Sequence, residues 1–161
     1  MTDTDKKTPP TVHMTLQYDV EKLVERNYST NNAVEKFSEE FFGMFKLIEK
    51  QEDPRVKKFN FDFATYTIDA EIELAPWVKF EEKFTKFVND YSNVISDVQA
   101  RIMTYDDDGE TNREATLYTA VKFSHYLYPV KGKAVFTDVF GWTVLEQWES
   151  LQESRWIYIP R

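Results

Sequence analysis

The chain has 161 residues, with 28 Asp plus Glu against 20 Lys plus Arg, a net charge of -8, and no cysteine. That length suits one domain, able to bury about 70% of its unfolded surface without a metal or disulfide staple. The absent thiols exclude disulfides, thiolate nucleophiles and cysteine-ligated metals, and the negative field disfavours nucleic acid and anionic membranes while favouring a basic partner.

Met1 to Pro10 is polar and carries no apolar signal-peptide core, so residues 1–11 read as a flexible N-terminal extension and 12–161 as a single domain. Met14 offers an alternative start. Val12, Met14, Leu16 and Tyr18 alternate with His13, Thr15 and Gln17, the pattern of a strand with one buried face. Asp19 is placed to cap a short helical turn through Leu23 and Val24. Ser29 and Thr30 offer a second cap. Val34, Phe37, Phe41, Phe45 and Ile48 then form an apolar stripe on a helix expected from about Asn31 to Gln51. Asp53-Pro54 should end it, because a residue before proline is pushed out of the α region.

Val56 to Leu74 is strand-like throughout. Phe59, Phe61 and Phe63 share one parity, and Tyr66, Ile68, Ala70, Ile72 and Leu74 share the other. A bulge or a tight turn must therefore lie near Ala64-Thr65. With no Gly or Asn-Gly turn signal there, the bulge is the expectation. Pro76 suits a helix start, followed by Trp77, Phe80, Phe84, Phe87, Tyr91 and Val94 at helical spacing. Val98 to Tyr105 reads as a strand and Asp106-Asp107-Asp108-Gly109 as a turn, with Gly109 supplying a positive φ. A second strand over about Arg113 to Tyr128 completes a hairpin. Pro129 to Lys133 reads as a loop, Thr137 or Asp138 as the cap of a last helix bearing Trp142, Leu145, Trp148 and Leu151, and Trp156 to Ile159 as a short closing strand. The order predicts an α+β domain, a mostly antiparallel sheet with helices on one face. If the long strand divides, its first part has the ferredoxin-like order β-α-β-β-α-β, extended by a C-terminal hairpin strand and helix.

Three segments carry a chemical suggestion. Val12-His13-Met14-Thr15-Leu16 resembles one half of the paired His-x-Thr/Ser motifs of two-histidine phosphoesterases, whose histidines act as general acid and base. The other histidine lies in Phe123-Ser124-His125-Tyr126-Leu127, where Leu127 replaces the needed hydroxyl, so the resemblance implies an incomplete site. Lys57-Lys58-Phe59-Asn60-Phe61 resembles the basic-aromatic strand of RNA-recognition and cold-shock domains. Lys58 and Asn60 stand where glycines belong, and Asp62 would oppose phosphate, so the plainer reading is a core face. Asp106 to Glu110 suggests a calcium loop. Aligning Gly109 with the invariant loop glycine leaves Thr104 and Ala115 at two ligand positions, so the segment reads instead as a solvated hairpin tip.

Asp69, Glu71 and Glu73 alternate along one strand, opposite Ile68, Ala70 and Ile72. Adjacent carboxylates on such a face lie ~6.6 Å apart, a regular negative row that could imitate a nucleic-acid backbone. The plainer reading is a solvated sheet face. The sequence carries no phosphate loop, dinucleotide fingerprint, Gly-x-Ser-x-Gly or histidine pair at metal spacing, and only 4 glycines. No cofactor is expected. Asn27-Tyr28-Ser29 forms a sequon that the lack of a secretion signal discounts.

These readings favour a non-enzymatic protein-binding module in the cytoplasm, with neither nucleic acid nor membrane as a direct partner. The compositional analogy is to small acidic phage anti-defence proteins, including anti-CRISPR inhibitors. On that analogy the partner is a basic, nucleic-acid-handling protein, and the contact comprises Asp69, Glu71, Glu73, Asp106, Asp107, Asp108 and Glu110. The alternatives are a small phosphodiesterase using His13 and His125, and a structural or assembly subunit that shows its aromatics to a like subunit.

Overall fold

A computed structural model describes residues 8–27, 30–46, 54–75, 78–123, 126–144, 147–151 and 156–158. Among them run β1 (Thr11–Tyr18), α1 (Val20–Asn27), α2 (Thr30–Gly43), β2 (Val56–Asp62), β3 (Thr67–Glu73), α3 (Phe80–Asp90), β4 (Ile95–Met103), β5 (Glu114–Phe123), β6 (Tyr126–Thr137), β7 (Gly141–Val144), β8 (Gln147–Ser150) and β9 (Trp156–Tyr158). The strands form one nine-stranded sheet in the order β2-β3-β1-β4-β5-β6-β8-β9, with β7 also on β6. Every pairing is antiparallel. The first four strands, with α1 and α2 in one crossover and α3 in the other, have the β-α-β-β-α-β connectivity of the ferredoxin-like unit.

The alternation in β1 buries Val12, Met14, Leu16 and Tyr18 on one face. Ile68, Ala70 and Ile72 of β3 and Val98 and Ala100 of β4 share that face. Leu23 of α1, Phe37 and Phe41 of α2, and Phe80, Phe84, Phe87 and Val88 of α3 pack onto it as one core. An amphipathic helix is stable only when its apolar stripe is buried in this way. As expected, Asp19 caps α1, its Oδ1 accepting the Glu21 and Lys22 N–H groups at 3.0 and 3.3 Å. Thr11 already belongs to β1 and is buried, so the sheet begins one residue before the expected domain boundary.

Six sequence expectations change. The helix predicted to reach Gln51 stops at Gly43. Met44, Phe45 and Lys46 donate to the carbonyls three residues back, which tightens the end of the helix and still buries Met44 and Phe45. Ser29, Ile48 and Asp53, named as cap, stripe and stop, lie outside the described residues. The helix expected from Pro76 begins at Phe80, and Pro76 and Trp77 also lie outside.

The expected bulge at Ala64-Thr65 is a turn, residues 63–66, between β2 and β3. Across a four-residue turn an odd-numbered residue pairs with an even-numbered one, so Phe59 meets Ala70 and Phe61 meets Ile68 on one face. The change of parity needs no extra residue. The turn needs no glycine because Tyr66 takes the positive φ, at 53°. Its ring packs on Tyr18 and Phe61 at 5.7 and 6.0 Å, its carbonyl accepts the Tyr18 N–H at 3.2 Å, and Asp62 Oδ1 accepts the Ala64 N–H at 2.9 Å.

The strand expected over Arg113 to Tyr128 is a hairpin, with Phe123 opposite Tyr126. The expected loop at Pro129 to Lys133 lies in the middle of β6. Pro129 is tolerated there because a strand residue's N–H and C=O point to the same side. The Pro129 carbonyl accepts from Leu151 at 3.1 Å, on the side away from β5. The missing N–H therefore lies on that side too, and the β5–β6 ladder loses nothing.

The predicted last helix is instead β7 and β8. Gly141, at φ 67°, reverses the chain after Asp138 to Phe140, and the unpaired side of β6 takes up both strands. Trp142 and Trp148 then join Leu117, Val130 and Ala134 in a second, smaller core. Leu145, part of the supposed helical stripe, lies outside the described residues.

Candidate functional site

The face of the sheet opposite the helices is open over β2, β3, β1 and β4. Register places Lys58, Glu71, His13 and Arg101 in one row across these strands, and Asn60, Asp69, Thr15 and Gln99 in the next. Directly opposed residues on one face are near enough to interact. The carboxylate row of β3 is therefore set among polar and cationic side chains rather than bare. Glu73 Oε2 lies 3.7 Å from Arg55 Nε, and Asp69 Oδ1 lies 2.9 Å from His13 Nε2.

His13 uses both ring nitrogens. Arg101 Nη2 is 3.1 Å from Nδ1. A guanidinium only donates, so Nδ1 accepts, and the ring proton sits on Nε2 and donates to Asp69. Arg101 is held by its other groups as well. Its Nε donates to Met103 Sδ at 3.1 Å, and its guanidinium carbon lies 4.9 Å from the centroid of the Trp142 ring. Burial pulls the Arg101 pKa down from its ordinary value, and the nearby Glu71 carboxylate partly offsets this. The result is a chain Asp69–His13–Arg101–Trp142 from β3 to β7. His125, the other half of the two-histidine reading, lies outside the described residues.

The basic-aromatic segment resolves into two faces. Phe61 packs on Tyr18 and Tyr66, and Phe59 packs 5.7 Å from Phe42 of α2. Both lie on the helix side of the sheet, but only Phe61 packs against the core, and Phe59 stays 43% exposed, so the expected core face holds for Phe61 alone. Phe63 lies in the turn and is exposed. The open face presents no phenylalanine from this strand for a base to stack on.

The hairpin tip after β4 forms as expected. Gly109 takes φ 81°, and Asp106 Oδ1 accepts the Asp108 and Glu110 N–H groups, each at 2.9 Å. Asp106 is therefore committed to shaping the turn, while Asp107, Asp108 and Glu110 are exposed. Thr11 faces both Glu73 and Met103 across the sheet. Glu73 thus stands at the end of the sheet from which the tip projects, two strand spacings, or ~10 Å, from Met103. Lys57 intervenes. Its ammonium donates to Thr11 Oγ1 at 2.7 Å and lies 5.6 Å over the Tyr105 ring. The two acidic groups share one end of the molecule without forming one continuous patch.

Sequence reasoning missed the neighbour of that tip. The β6–β7 turn lies beside it, with Arg113 Nη2 3.3 Å from Asp138 Oδ1 and Phe136 N–H bonded to the Arg113 carbonyl at 2.8 Å. This turn exposes Val139 and Phe140 by 82% and 77%. The signal was present as two apolar residues between Asp138 and Gly141. A helical reading of the segment hid it.

Among the described residues no three His, Asp or Glu side chains converge as they would around a metal ion, and no helix is long and apolar enough to cross a membrane. A groove of about 510 Å³ runs between α2 and α3, floored by Met44 and Phe87 and rimmed by charges of both signs, among them Lys86 paired with Asp90. The chain matches no protein-family model, no curated protein and no solved structure.

Proposed function

We propose that this chain is a non-enzymatic protein-binding module, an acidic inhibitor of a basic, nucleic-acid-handling protein. The observation that supports it is one end of the sheet, which carries both the exposed carboxylates Asp107, Asp108 and Glu110 of the hairpin tip and the β6–β7 turn with exposed Val139 and Phe140, the two linked through Arg113 and Asp138. Binding energy concentrates in a few apolar or aromatic anchors, while surrounding charges set approach and selectivity. An exposed apolar turn at the same end as an acidic tip has both parts and selects a basic surface with an apolar pocket. Asp69, Glu71 and Glu73 add negative charge on the neighbouring sheet face, but Arg55 beside Glu73 and Arg101 near Glu71 already answer part of it. In this reading the tip does most of the steering. The phosphodiesterase reading gains nothing from His13, both of whose nitrogens are already engaged.

The test is comparative capture from host extract by the wild-type chain and by a Phe140→Asp, Asp108→Lys variant, with bound proteins identified by mass spectrometry. A basic protein that is held by the wild type, lost with the variant, released by salt and displaced by competing nucleic acid is the expected result. Identical retention by both forms would sink the reading.

A further inference from the structure

The sheet exposes one long edge. Among the described residues β2 pairs only with β3, so alternate backbone N–H and C=O groups along its other side have no strand partner. Folded proteins usually block such an edge with lysines or a bulge. Here the bulge falls between Val56 and Lys58 and leaves Lys58 to Asp62 in regular register. Lys57 is drawn inward to Thr11 and Tyr105. Val56, Phe59 and Phe63 along this edge remain exposed by 41%, 43% and 78%.

We propose that β2 is a self-recognition edge, on which two copies of the chain pair antiparallel about a twofold axis through Asn60. In this register Lys58 of each copy stands opposite Asp62 of the other on the open face, and Phe59 stands opposite Phe61 on the helix face. Opposed charges and opposed aromatics are the favourable cross-strand pairs. Neighbouring registers keep opposed aromatics but lose the charge pairs. An axis through Phe59 sets Val56 against Asp62, and an axis through Phe61 sets Lys58 against Ala64. Lys58 makes no ion pair among the described residues, and Asp62 uses one oxygen on the Ala64 N–H, leaving the other for a partner. The pairing would join two sheets into one and cover the exposed aromatics. It lies three strands from β4 and uses none of the carboxylates of the acidic tip, so it stands independently of the proposed function.

Sedimentation velocity across micromolar to millimolar protein tests it, with circular dichroism melts to verify folding. The wild type shows a concentration-dependent monomer–dimer equilibrium. Lys58→Glu alone and Asp62→Lys alone each weaken association about tenfold, because like charges then face each other twice across the axis. An equimolar mixture of the two variants recovers it, since each reversed charge meets its opposite on the other variant. A protein that is monomeric throughout, a dimer indifferent to both reversals, or a mixture no tighter than the single variants would each overturn the proposal.

Discussion

Arg101 of β4 lies 4.9 Å from the Trp142 ring of β7, two strands beyond the adjacent β5, and the pair closes over buried Leu117. This contact ties the second core to the ferredoxin-like unit. Arg101→Lys keeps the charge but loses the planar group that stacks on indole and bonds His13 and Met103. A loss of about 1–2 kcal/mol is expected. Denaturant titration in a double-mutant cycle with Trp142→Leu measures the coupling, and additive losses would show that the two residues act separately.

Phe84 of α3 is fully buried between Phe80 and Tyr118, at 5.9 and 5.6 Å. Phe84→Ala should cost about 3–5 kcal/mol through lost transfer energy and a cavity. The midpoint of urea unfolding should fall with its slope unchanged. A loss below about 1 kcal/mol would mean that α3 does not hold the sheet.

Two effects oppose each other at Tyr66. Its positive φ costs about 1–2 kcal/mol in a residue with a Cβ, which Tyr66→Gly would relieve. The same change removes the ring from Tyr18 and Phe61 and loosens the unfolded chain less favourably, together about 2–4 kcal/mol. Packing should win, so Tyr66→Gly destabilises by about 1–2 kcal/mol. A stabilised variant, read from thermal melts, would show that strain dominates this turn.

Tyr118 predicts an alkaline limit. Its ring is buried and its hydroxyl donates to Glu81 Oε1 at 3.3 Å. Burial first, then the Glu81 carboxylate, push its pKa well above the ordinary phenol value. In the unfolded chain the phenol ionises near pH 10. Below that, both states hold the proton and the contribution is intact. As pH rises past it, the unfolded state sheds its proton first, and stability falls until the folded pKa is reached. Lys131, raised mainly by its hydrogen bond to the same Glu81, acts with the same sign. Tyr118→Phe should flatten the decline in melting temperature above about pH 10, and an unchanged slope would assign the decline to other groups.

The acids of the hairpin tip should divide into two kinds. Asp106→Ala removes the acceptor for two N–H groups and should cost about 1 kcal/mol. Asp107→Lys and Asp108→Lys should leave the melting temperature nearly unchanged while slowing association with a captured partner. That slowing should fade as salt shortens the Debye length below about 8 Å. If all three substitutions destabilise alike, the tip is structural throughout.

Local pattern alone made much of this protein legible. The alternation of Val12 to Tyr18, the stripes of Phe37 and Phe41 and of Phe80, Phe84 and Phe87, and the Asp106–Gly109 turn each follow from periodicity or from a residue suited to one backbone conformation. Those are near-neighbour properties, and they were enough for an α+β sheet with helices on one face. What failed depended on contacts distant in sequence. Tyr66 takes a glycine's conformation because Tyr18 and Phe61 hold its ring. Pro129 sits inside a strand because its missing donor faces away from β5. Trp142 and Trp148, spaced as if on a helix, became strands because β6 offered them an unpaired edge and Leu117 an apolar face. The acidic residues of β3 were visible as a row, but only the strand order set Lys58, His13 and Arg101 beside them. Charge along a strand is written in the sequence, whereas its neutralisation is decided by which strands lie next to it.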